Sequence, residues 1–119
     1  MSDEVKKFVR ETLGCQCPEE VFEKIEVDSE VRVADYTVDR RINVGDRLLI
    51  YLVDGDKLQN KDLEVLVRTG KEERDSAGFN RFRLVVMSDG EIELERLEEL
   101  VRDYEKVHLH AVGRSMVDF

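Results

Sequence analysis

The chain has 119 residues, 41% of them hydrophobic and 39% charged, with 28 acidic side chains against 19 basic ones. A net charge of −9 argues against a nucleic-acid binder, which presents a basic face. Met1-Ser2-Asp3-Glu4-Val5-Lys6-Lys7 lacks the apolar run of a signal peptide, and no run approaches the roughly 20 apolar residues of a bilayer span, so the expectation is no membrane and a cytoplasmic location.

This length fits one domain, 1–119, with a helical N-terminal segment over 1–26 and an α/β core over 27–119. Its apolar content suffices for a core without a disulfide or structural metal. The charged, amide-poor composition resembles thermophile usage. One stretch, 66–83, is locally basic, with five basic residues against three acidic.

In chain order, Val5, Phe8, Val9, Thr12 and Leu13 predict an amphipathic helix, capped by Ser2 or Asp3 and ending at Gly14. Pro18 predicts the start of a second, short helix reaching about Ile25, with Val21, Phe22 and Ile25 inward. Val31, Val33, Tyr36 and Val38 predict a strand, and the phase change at Ala34-Asp35 suggests a bulge. Asn43-Val44-Gly45-Asp46 turns into a central strand, 47–53, apolar on both faces. A helix follows over 61–73, with Leu63, Leu66 and Val67 inward, and then a buried strand over 82–87. The stripe Leu94, Leu97, Leu100, Val101 and Tyr104 predicts a helix over 91–103. The last strand, 107–112, puts His108 and His110 on one face and Val107, Leu109 and Ala111 on the other.

Strands alternating with helices from Arg47 onward argue for parallel β-α-β units. The expected fold is α/β: an N-terminal helix pair, then a mixed, mainly parallel sheet of about four strands flanked by helices, with a ββαβαβ core. An α+β, ferredoxin-like arrangement is the alternative.

Both cysteines stand in Cys15-Gln16-Cys17-Pro18. With Pro18 at the first helical position, Cys17 becomes the N-cap, and its sulfur meets bare N–H groups that favour the thiolate. Glu19, Glu20 and Glu23 oppose that effect. The spacing is one residue shorter than the Cys-x-x-Cys of thioredoxin-like enzymes, and Pro18 is the one proline, so none remains to face a disulfide. The pair can cycle between dithiol and disulfide, ligate zinc, copper or iron, or form a mixed disulfide with a partner. The plainer reading is packing as small hydrophobes.

His108 and His110 lie about 7 Å apart along their strand. They can join Cys15 and Cys17 in a four-ligand metal site if the N-terminal corner packs over the last strand; otherwise they meet solvent or carboxylates such as Glu98 or Asp103. Between the 61–73 helix and the next strand, Arg74, Arg81 and Arg83 with Ser76 and Asn80 can hold a phosphate or carboxylate, or the arginines can pair with Glu72, Glu73 and Asp75. Asp54-Gly55-Asp56 can offer two carboxylates to Mg²⁺ or form a polar turn. The leading expectation is a small accessory protein using Cys15 and Cys17 for thiol redox or metal binding. The alternative is a non-catalytic interaction module with structural cysteines, serving a protein partner or a homo-oligomer.

Overall fold

The computed structural model describes residues 2–14, 18–33, 35–88, 98–99, 101–114 and 117. The first amphipathic pattern forms α1 (Ser2–Lys7), continued by a π-helical turn over Phe8–Thr12. Its stripe buries Val5, Phe8, Val9 and Leu13. The Leu13 amide donates to the Phe8 carbonyl at 3.1 Å, and Gly14, at φ 68°, takes the left-handed conformation that ends a helix.

The expected second helix is instead a five-residue 3₁₀ turn, Glu19–Glu23, and Pro18 precedes it in extended conformation (φ −60°, ψ 150°). Val21 and Phe22 are buried but adjacent, which gives no helical stripe to extend. Lys6 and Arg10 both pair with Glu19 and lie over the Phe22 ring, fastening the turn to α1.

Five strands form one sheet in sequence order: β1 (Ile25–Val33), β2 (Tyr36–Val44), β3 (Leu48–Asp54), β4 (Arg81–Met87) and β5 (Val107–Val112). The β1/β2 and β2/β3 pairings are antiparallel, whereas β3/β4 and β4/β5 are parallel. This corrects the expected helix-flanked, mainly parallel sheet of four strands; the molecule is α+β, an antiparallel meander leading into two parallel additions. Ile25 begins a strand rather than closing a helix. Val33 pairs with Tyr36, so the stretch expected as one strand is two strands of a hairpin, and Ala34 of the expected bulge lies outside the described residues.

The irregularity lies elsewhere in this hairpin. Pairing lapses at Glu30, whose φ of 51° is left-handed, while the register is the same on either side. Across that point the apolar side chains change sides. Ile25, Val27, Ile42 and Val44 join a core under α1, with Leu48, Ile50, Leu52, Val85 and Met87. Val31, Val33, Tyr36 and Val38 join the opposite core.

That second core is covered by α2 (Asn60–Ala77), whose Leu63, Leu66 and Val67 meet Leu49, Tyr51, Val53, Phe82 and Leu84. Asp62 fixes the start of α2, accepting from the Gln59 amide at 2.8 Å and from the Tyr36 hydroxyl at 2.7 Å. Glu73 fixes its last turns, accepting from Tyr51 Oη at 2.6 Å and Arg41 Nε at 2.9 Å. Gly70 lets the helix approach the sheet, because a Cβ there would stand 2.1 Å from the Phe82 ring. Of the helix expected over 91–103, residues 98, 99 and 101 are helical, and 91–97 and 100 lie outside the described residues. Among the described residues, no helix is long and apolar enough to cross a membrane.

Candidate functional site

Alternation along β4 sends Phe82 and Leu84 toward α2, and therefore Arg83 toward α1. There Arg83 is only 6% exposed. One guanidinium nitrogen, Nη1, donates to the Leu13 carbonyl at 2.6 Å and contacts His110 Nε2 at 3.0 Å. Leu13 ends the N-terminal helix, where unpaired carbonyls and the negative end of the dipole attract a cation. Among the described residues, Arg83 Nε finds no acceptor. Burying a guanidinium costs several kcal/mol by order of magnitude unless an anion compensates, and among the described residues no carboxylate does so for Arg83. Burial, and then the charge of Arg81, press the Arg83 pKa down.

The arginine dictates the state of its neighbour. A guanidinium has no lone pair to offer, so His110 Nε2 is the acceptor and the proton of the neutral ring sits on Nδ1. Burial pushes the His110 pKa down to about 4, reinforced by Arg83 and His108. His108, directly opposite Arg83 on β5, is shifted the same way by burial, then by Arg83 and Arg81. Both imidazoles are therefore uncharged at neutral pH.

The N-terminal helix end and the last strand thus meet through Arg83. Cys15 and Cys17 lie outside the described residues. The expected source of thiolate stabilisation at Cys17 is altered, since Pro18 is not the first residue of a helix and the short 3₁₀ turn beyond it has little dipole. Glu19, expected to oppose the thiolate, has its charge taken up by Lys6 and Arg10, whose hydrogen bonds hold its carboxyl below the usual range.

The five residues proposed for an anion site are not brought together. Arg74 is buried at the end of α2, donating to Asp75 and to the Glu105 carbonyl. Asn80 accepts from Lys106 at 3.3 Å, and Ser76 is exposed. Arg81 and Arg83 belong to the other face, that of α1. Asp54 and Asp56 both hold Arg114, and Ser88 Oγ donates to Asp56 at 2.6 Å, so at this end of β3 an arginine occupies the place of a cation. The link missed in the sequence was the Leu13 carbonyl. The alternation of Phe82 and Leu84 signals which face Arg83 takes, but nothing in it signals that a helix end seventy residues earlier covers that face.

Beside the histidines, a cleft of about 450 Å³ is lined by Glu98, Val101, His108, Leu109, His110 and Ala111. Among the described residues no three metal-ligating side chains gather. Comparison of the chain with protein families, with curated proteins and with solved structures found no match.

Proposed function

We propose that this is a small thiol-redox protein in which Cys15 and Cys17 cycle between dithiol and disulfide, with Arg83 as the fixed positive charge that supports the thiolate. The observation that carries the reading is the burial of Arg83 without a carboxylate partner among the described residues, one nitrogen spent on the Leu13 carbonyl. Leu13 precedes Cys15 by two peptide units, a reach of at most about 7.6 Å between Cα atoms. A thiolate within that reach supplies the anion that the guanidinium lacks, and the guanidinium lowers the thiol pKa in return. The thiolate attacks a disulfide of a partner and displaces one partner sulfur as thiolate. The second cysteine thiolate then attacks the resulting mixed disulfide. The protein ends as disulfide and the partner as dithiol, two electrons having passed to the partner.

The metal reading, with zinc, copper or iron held by Cys15, Cys17, His108 and His110, has less support. Arg83 already engages the Nε2 lone pair of His110, and its charge opposes a nearby cation. A non-catalytic interaction module has one observation in its favour: β5 is an edge strand with no charged side chain, whereas the opposite edge, β1, carries Glu26, Asp28, Glu30 and Arg32.

The deciding experiment is the pH dependence of iodoacetamide alkylation at each cysteine, alongside elemental analysis of the same preparation. The thiol reading expects one cysteine to titrate below the ordinary value of about 8.5, and Arg83→Met to raise it by about one unit or more. Two ordinary thiols, or stoichiometric metal bound at the cysteines, would overturn it.

A further inference from the structure

In a chain with 28 acidic residues, four nitrogen-bearing side chains share one face of β4 and β5. Arg83 stands opposite His108, and on the same face Arg81 lies two positions before Arg83 and His110 two positions after His108, at opposite ends of the patch. Among the described residues none of the four is paired with a carboxylate, and the buried Arg83 keeps its Nε without an acceptor. The neighbouring cleft is lined by four consecutive residues of β5. Consecutive strand residues point to opposite faces, so the cleft follows the outer edge of β5 and reaches both sides of the sheet.

We propose that this cleft binds a small organic monocarboxylate with an apolar body. Val101, Leu109 and Ala111 form an aliphatic wall suited to a hydrocarbon chain, and the volume of about 450 Å³ lies within the range of small-molecule sites. The carboxylate belongs between the two histidines, with Arg83 behind His110 and the exposed Arg81 adding its charge on the His108 side. Glu98, on the same lining, disfavours a second negative group and so selects a monoanion. The proposal goes beyond the thiol reading; it shares Arg83 with that reading but needs no thiolate, and the cysteine variant below tells the two apart.

The test follows the ring signals of His108 and His110 by NMR while hexanoate, hexanol or inorganic phosphate is added to the full chain. Hexanoate is expected to shift both histidines saturably, with hexanol and phosphate each at least about tenfold weaker, the value of one charge-assisted hydrogen bond. Arg81→Gln, an exposed substitution, is expected to weaken hexanoate about tenfold, and Arg83→Met to abolish binding. If Arg83→Met fails to fold, Arg81→Gln decides alone. A chain carrying Cys15→Ser and Cys17→Ser is expected to bind hexanoate at least as tightly as the natural chain, because no thiolate then competes for Arg83, and weaker binding in that variant would overturn the proposal. The proposal fails if hexanoate produces no saturable shift, if hexanol binds as well, if phosphate binds as well (an adventitious ion only), or if Arg81→Gln is without effect.

Discussion

Replacing Gly70 with alanine sets two effects of opposite sign against each other. Alanine in a helix interior is favoured over glycine by about 1 kcal/mol, so propensity alone makes the variant more stable. The added methyl, however, would meet three atoms of the Phe82 ring at 2.1, 2.4 and 2.5 Å, far inside contact distance. Phe82 is fully buried and stands edge-on to Tyr51, with ring centroids 4.9 Å apart, and Tyr51 is itself held by Glu73. The ring cannot step aside, and α2 must lift from the sheet. Overpacking of this kind costs about 1–3 kcal/mol, and three sub-contact distances place this case at the upper end. The net expectation is a loss of about 2 kcal/mol, or roughly 8 °C in melting temperature for a chain of this length. Thermal and urea unfolding followed by circular dichroism measure it. Combining Gly70→Ala with Phe82→Leu should recover part of the loss, since the two sites touch. An unchanged or raised melting temperature for the single variant refutes the packing argument.

Arg83→Met removes a positive charge beside His110 and leaves its burial in place, so the His110 titration should move up from about 4; an NMR pH titration showing no movement contradicts the assigned contact. Glu73→Gln should destabilise the neutral-pH protein by about 1–2 kcal/mol, through the hydrogen bonds from Tyr51 and Arg41. Burial alone would raise the Glu73 pKa, but those two donors overcome it and the net shift is downward. The stability it contributes is therefore complete above the unfolded carboxyl pKa and is lost as pH falls through the folded value. Urea melts of the natural chain and the variant should converge in acid, and a difference independent of pH would count against the network.

The second half of the sheet was legible because its elements declare themselves locally. The continuous apolar run of β3, the 3.6-residue stripe of α2 and the alternation of β5 each admit one reading. The first half misled for a physical reason. Val21, Phe22 and Ile25 satisfy a helical spacing, yet Ile25, Val27, Val31 and Val33 also alternate, and strand pairing with β2 decided between them. Ala34-Asp35 carries no glycine or asparagine to announce a reversal, so a hairpin and a bulge produced the same shift of phase. At the candidate site, residue types and faces could be read locally. The contact that organises it, between residues 13, 83 and 110, spans nearly the whole chain and leaves no local trace.

The change of sides at Glu30 bears on how the chain finds its alignment. A strand with one inward face can slip by an even number of residues and still keep its apolar groups covered. Here each strand of the first hairpin is anchored into two separate interiors, one above and one below the sheet. Any displacement of β1 along β2 would draw hydrophobic side chains out of both at once, so only one alignment satisfies the pair. The left-handed residue that costs the hairpin locally is thereby what makes its pairing unambiguous.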